Sequence, residues 1–169
     1  MTRIGLGYDI HRLVSGRALI LGGEAIPFEK GLLGHSDADV LVHAAIDALL
    51  GAAGLGDIGE HFPDTDSRYR GVCSIDLLTA TYGRVKEGGF WLTNLDATLF
   101  AQAPRMTPYK ERMRDRMAES MAVDPRIINI KATTTEGLGT IGKGEGIAAM
   151  CVVLLEFRPP DTGRSPGDS

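Results

Sequence analysis

Val40-Leu41-Val42-His43-Ala44-Ala45-Ile46-Asp47-Ala48-Leu49-Leu50-Gly51-Ala52-Ala53 is the stretch on which the fold turns. Leucine and alanine fill it and proline is absent, so it reads as a helix over residues 40–53. Ser36 or Asp37 is suited to cap its start, and Gly54 to end it. Val40, Leu41, Ala44, Ile46, Leu49 and Leu50 supply the buried faces, while Asp39, His43 and Asp47 follow one another at four-residue steps along one side. Outward from this helix the elements alternate. Residues 3–7 and 18–21 read as strands, the second continuing through Gly22-Gly23 to a short segment at 25–28. Residues 31–34 are expected to be a glycine-rich loop, and 57–71 a longer one. Residues 74–86 form a second predicted helix, stopped by Gly88-Gly89, and 108–121 a third. Residues 90–101 alternate as a strand with Trp91, Thr93, Leu95, Ala97 and Leu99 on one side. Residues 127–131 and 147–157 complete the strands, the last being the most apolar. This order predicts an α+β fold, a mixed sheet with its helices on one face.

Composition narrows the class. With 169 residues, 43% hydrophobic and 24% charged, the chain suits one domain over residues 1–158. Residues 159–169, opening on Pro159-Pro160, are expected to form a disordered tail. No stretch approaches the ~20 apolar residues that cross a bilayer, and the first residues lack the apolar core of a secretory signal. Cys73 and Cys151 are isolated thiols outside any C-x-x-C pattern, which suits a reducing cytoplasm. A net charge of −4 argues against nucleic acid as partner. An anionic ligand would need local cations or metals.

Candidate chemistry begins at Asp9-x-His11, where the first strand is expected to run into a loop. Alternate residues of an extended segment point the same way, so the carboxylate and imidazole can meet at one point. All four histidines (11, 35, 43 and 61) fall in the first 61 residues. Asp9, His11 and His43 would make a catalytic Zn²⁺ set with one position open. The alternative is an exposed His11 and an unrelated core His43. Asp39 or Asp47 would orient a ligand ring; otherwise Asp39 caps the helix and Asp47 is solvated. His35-Ser36 precede a helix start, where free N–H groups attract phosphate. Thr133-Thr134-Thr135-Glu136 lead into Gly137, Gly139, Gly142, Gly144 and Gly146, whose backbone can approach phosphate oxygens. Glu136 is placed to hold Mg²⁺ against a diphosphate, although such a glycine run is equally a turn-rich loop. It fits neither a dinucleotide fingerprint nor a P-loop. Asp57, Asp64 and Asp66 read as acceptors for substrate hydroxyls or as turn residues.

Six collinear motifs carry a resemblance: Gly-Tyr-Asp-Ile-His (7–11), Gly-Leu-Leu-Gly-His-Ser-Asp-Ala-Asp-Val (31–40), Gly-Asp-Ile-Gly (56–59), His-Phe-Pro-Asp-Thr-Asp (61–66), Ala-Gln-Ala-Pro-Arg-Met (101–106) and Lys-Ala-Thr-Thr-Thr-Glu (131–136). Over residues 3–157 the chain resembles the 2-C-methyl-D-erythritol 2,4-cyclodiphosphate synthase family. The resemblance implies a ferredoxin-like or chorismate-mutase-like fold and a homotrimer with active sites between subunits. It implies Zn²⁺ on Asp9, His11 and His43, with Asp9 and His11 also facing the substrate. His35 and Ser36 would contact phosphate, His35 stabilising the transition state with Thr134. Asp57, Ile58 and Gly59, with Phe62, Pro63, Asp64, Thr65 and Asp66, would hold the methylerythritol portion. Ala101, Gln102, Ala103, Pro104, Arg105, Met106 and Thr107 would receive the cytidine and its phosphates. Thr133, Thr134, Thr135 and Glu136 would bind the diphosphate, Glu136 through Mg²⁺ or Mn²⁺. The reaction implied is intramolecular phosphoryl transfer that releases CMP. The glycine run departs from the family pattern: an aromatic has become Thr140, and an arginine Lys143, which contacts phosphate without bidentate geometry. That change puts in doubt an isoprenoid diphosphate at the threefold axis. Arg105 in place of a frequent lysine is milder. Rival readings are a zinc phosphodiesterase or pyrophosphatase and a non-catalytic nucleotide-binding trimer.

Overall fold

The computed structural model describes residues 1–158; the expected tail at 159–169 lies outside them. Among the described residues seven strands and five α-helices follow in the order β1 (Thr2–Ser15), β2 (Leu19–Leu21), β3 (Glu24–Ile26), β4 (Lys30–Leu32), α1 (Val40–Ala53), α2 (Ile58–His61), α3 (Ser74–Glu87), β5 (Phe90–Phe100), α4 (Lys110–Met121), β6 (Ile128–Thr133), α5 (Gly139–Gly142) and β7 (Gly146–Phe157). Five strands form one sheet in the order β4-β1-β7-β5-β6, and β2 and β3 make a separate hairpin. Only β5 and β6 run parallel, so the sheet is mixed and the fold α+β, as expected.

Helix α1 lies across β1 and β7. Glycine on β1 permits the close approach: a Cβ on Gly5 would sit 1.9 Å from the Ala48 carbonyl, and one on Gly7 1.9 Å from that of Ala44. Ala44, Ala48 and Ala52 of α1 are buried there. Odd-numbered β1 residues therefore face the helices. Ile4, Leu6, Tyr8 and Ile10 point to the opposite face and are exposed.

Four expectations are corrected. The first strand does not stop at residue 7. β7 pairs with it from Thr2 to Arg12 and β4 from Leu13 to Ser15, so Asp9 and His11 stand in mid-strand. Residues 31 and 32 of the expected 31–34 loop belong instead to that β4 partner. The cap of α1 is Asp39, not Ser36 or Asp37: its side chain accepts from the Val42 N–H. In β5 the face changes at a bulge between Leu92 and Asn94. Phe90 and Leu92 are buried before it, and Leu95, Ala97 and Leu99 after it, which leaves Trp91 exposed. An extra residue in one strand reverses the alternation.

Asp39 also ties the hairpin to α1. Fully buried, its carboxylate accepts from Val42 N–H at 3.1 Å, Gly22 N–H at 2.9 Å and Gly23 N–H at 2.7 Å. Burial pushes this carboxyl up to about 6, against the pull of those three donors. Asp39→Ala would lose a cap and leave buried donors unpaired, a cost of about 3 kcal/mol. The urea midpoint is expected to drop accordingly; an unchanged midpoint would show that the hairpin does not depend on this carboxylate.

Candidate active site

Asp9 and His11 project from β1 toward α1, and His43 meets them from the helix. Asp9 Oδ2 lies 2.9 Å from His11 Nε2 and 3.0 Å from His43 Nδ1; the two ring nitrogens are 3.2 Å apart. This is close to one face of a tetrahedron around an ion with ~2.0 Å bonds, whose edges are about 3.3 Å. His11 Nδ1 donates to the Leu33 carbonyl at 2.9 Å. A carbonyl only accepts, so the Nε2 lone pair of a neutral ring is aimed at the common point. Burial pushes the Asp9 carboxyl up, but the two imidazoles outweigh it and hold the group well below the usual carboxylate range. Burial alone would pull His11 down, yet hydrogen bonding and charge from Asp9 raise it above its ordinary value. A ring facing an anion and backed by a carbonyl is a donor set that fits a divalent cation. Among the described residues, these three are the one group of metal-type side chains with converging ligand atoms.

The three ligand atoms open onto a cavity of about 530 Å³ whose lining includes His35, Ser36, Asp47, Ile58, Gly59, Phe62, Pro63 and Asp64. The Ser36 hydroxyl lies 3.3 Å from His43 Nε2 and accepts from the Ala38 N–H. Arg17 donates to the Ser36 carbonyl at 2.8 Å. Asp47 is half-buried at the cavity and makes no hydrogen bond to a ligand ring: it accepts from the Ile58 N–H at 2.8 Å and so fastens α2, which lines the cavity. Burial raises this carboxyl. Asp57 caps α2 through the Glu60 N–H. Asp66 accepts from the backbone and guanidinium of Arg68, so of the three acidic loop residues only Asp64 lines the cavity. Thr65 does not line it either.

The remaining candidates lie elsewhere on the chain. The Ala101 N–H donates to the Thr133 carbonyl at 3.0 Å, which joins the 101–107 segment to the threonine run where parallel β5 and β6 end. Thr134 donates to Glu136 Oε1 at 2.8 Å. None of residues 101–107 or 133–136, nor Lys143, lines the metal cavity. Ile10, Ala148, Phe100 and Thr133 occupy one row of the sheet. With strands ~4.8 Å apart, β1 and β6 are separated by roughly 14 Å in that row. The 101–107 and 133–136 segments therefore lie apart from Asp9, His11 and His43, along the same end of the sheet. Reading the sequence missed Ser74, Asp37 and Arg17 around His43 and Ser36, because no local pattern marks residues that meet across 19 to 38 positions.

A carboxylate–imidazole triad at an open cavity, with a separate threonine run on the same α+β sheet, points to an enzyme with a candidate metal site. The sequence profile of the YgbB family matches residues 2–156. The 2-C-methyl-D-erythritol 2,4-cyclodiphosphate synthase of Desulfosudis oleivorans is 62% identical over 153 residues, 90% of this chain and 91% of that protein. Among solved structures, the bifunctional IspDF of Campylobacter jejuni superposes with a TM-score of 0.90 at 44% identity, covering 94% of this chain and 43% of that longer one. The CDP complex of IspF from Plasmodium falciparum superposes at 0.82 with 30% identity, covering 93% and 97%. The chain belongs to the YgbB family, that of the 2-C-methyl-D-erythritol 2,4-cyclodiphosphate synthases.

Proposed function

We propose that this chain converts 4-diphosphocytidyl-2-C-methyl-D-erythritol 2-phosphate into 2-C-methyl-D-erythritol 2,4-cyclodiphosphate and CMP, the activity for which its relatives are named. It is thus a phosphorus–oxygen lyase of the non-mevalonate isoprenoid pathway. The convergence of Asp9, His11 and His43 beside His35 and Ser36 carries this reading. A 2-phosphate oxygen attacks the β-phosphorus of the same molecule, the bond from that phosphorus to the CMP oxygen breaks, and CMP leaves. No protein nucleophile is required. The protein positions the two phosphates and balances their charge.

Asp9, His11 and His43 would hold Zn²⁺, which supplies Lewis-acid polarisation of a phosphoryl oxygen when bound. His35 and Ser36 contact the phosphate end, and His35 and Thr134 stabilise charge as it shifts. Ile58, Gly59, Phe62, Pro63 and Asp64 enclose the methylerythritol portion; Asp57, Thr65 and Asp66 shape the loop that carries them. Residues 101–107 receive the cytidine; that the Plasmodium falciparum protein forms a CDP complex supports a cytidine nucleotide as ligand. Thr133, Thr135 and Glu136 bind the diphosphate, Glu136 through Mg²⁺ or Mn²⁺, with Lys143 nearby in sequence as a further cation.

Two half-sites roughly 14 Å apart on one chain cannot both grip the same diphosphate, so the cradle facing each metal site belongs to a neighbouring subunit. The helix-free face of the sheet suits such an assembly. On it Ile4, Leu6 and Tyr8 stand opposite Leu154, Val152 and Met150, and Ile4 and Leu6 are 71% and 62% exposed. An apolar patch of this kind needs cover, and a homotrimer with its sheets turned inward provides it. Among the described residues no helix is long and apolar enough to cross a membrane, and both cysteines are unpaired, which suits work in the cytoplasm.

Turnover in H₂¹⁸O, followed by ³¹P NMR and mass spectrometry, separates this reading from a zinc phosphodiesterase. Stoichiometric unlabelled CMP and cyclodiphosphate are expected. Label in the phosphate product would make the chain a hydrolase, and CDP binding without turnover would make it a binding protein.

A further inference from the structure

His43 has a second nitrogen, and what surrounds it is specific. Its Nε2 lies 2.9 Å from the Ser74 hydroxyl. Ser74 is fully buried and opens α3. The same hydroxyl makes a short hydrogen bond to Asp37 Oδ1, and the Ser74 N–H donates to Asp37 Oδ2 at 3.0 Å. An ionised carboxylate only accepts. Ser74 must therefore spend its one proton on Asp37 and offer a lone pair to His43, so the proton between His43 and Ser74 belongs to Nε2. That leaves the Nδ1 lone pair of a neutral ring pointing at Asp9 and His11. Ser36 is the weaker contact, at 3.3 Å against 2.9 Å, and its proton can turn to the Ser74 oxygen 3.5 Å away.

We propose that Asp37 and Ser74 are positioning residues that fix the Nε2–H tautomer and ring orientation of His43, so that Nδ1 is presented to the metal. This rests on the reading of Asp9, His11 and His43 as a metal site. The chain Asp37–Ser74–His43 starts in the loop before α1 and crosses to α3, so it also couples the His35-Ser36 segment to the metal ligand. Ser74 does not line the cavity; it acts through His43.

The test uses the full chain, stripped of metal and reloaded with zinc. Zinc affinity is read by competition with a chromophoric chelator, and the His43 Nε2–H by a ¹⁵N-split imidazole proton resonance. Ser74→Ala is expected to weaken zinc binding roughly 10- to 100-fold and to remove the protected Nε2–H signal even when zinc is forced on. Ser74→Thr keeps the hydroxyl and is expected to bind zinc within about threefold of the parent chain, by the same reasoning. If Ser74→Ala does not fold, Asp37→Ala supplies the comparison: it removes both acceptor oxygens, frees the Ser74 proton to turn toward His43 Nε2, and should lose both affinity and signal. Parent-like affinity with an intact signal in either variant would overturn the proposal. A parent chain that binds no zinc at all would instead remove the metal site itself, and this role with it.

Discussion

His43→Ala is expected to take the zinc content from one equivalent per chain to near none and to lower turnover by about 10³-fold or more. Lewis-acid stabilisation of a phosphoryl group is worth several kcal/mol, and each ~1.4 kcal/mol is tenfold in rate. The chain should stay folded and assembled, because the ring faces Asp9, Ser36 and Ser74 and lines the cavity instead of filling the core. Elemental analysis after dialysis, with steady-state release of CMP, reads both effects. One retained equivalent of zinc would show that His43 is no ligand. A pH dependence accompanies this. In the metal-free chain the Asp9 carboxylate holds the His11 proton above the ordinary imidazole range. Zinc must displace that proton, so apparent zinc affinity falls as pH drops through and below neutrality.

The second large effect concerns the helix-free face. Leu6→Arg would place a cation where Leu6 meets Val152, and symmetry would repeat it in every subunit. Burying these unpaired charges costs several kcal/mol per ion. We expect a folded monomer by light scattering, since Leu6 is exposed in the single chain, and a loss of turnover of at least about 10²-fold. Zinc binding should survive, because Asp9, His11 and His43 all belong to one chain. A trimer of unchanged activity would mean that this face is not the subunit interface.

Much of the fold was legible in residues that speak locally. Helix α1 runs over 40–53 as its leucines and alanines indicate, and Gly54 ends it in a left-handed conformation. The most apolar segment, β7, is the strand against which both β1 and β5 pair. What was not legible depends on partners distant in sequence. The second half of β1 is strand because β7 and β4 run beside it, and no property of Val14 or Ser15 announces that. The reversal of face in β5 turns on a single bulge. In the site, the D-x-H spacing and His43 do converge, since alternate strand residues share a face whatever the strand's length. Asp47 and Ser74 were opaque for the opposite reason: their roles are contacts with Ile58 and with Asp37 that exist only after the chain has folded. The motifs at residues 101–107 and 133–136 are readable in the sequence, but their separation from Asp9 along the sheet is not.

A zinc-edge anomalous difference map from crystals of the zinc-loaded chain tests the metal centre most directly. A single strong peak about 2.0–2.2 Å from Asp9 Oδ2, His11 Nε2 and His43 Nδ1 is expected. A peak seated on other side chains, or none between these three atoms, would contradict the metal centre and the activity built on it.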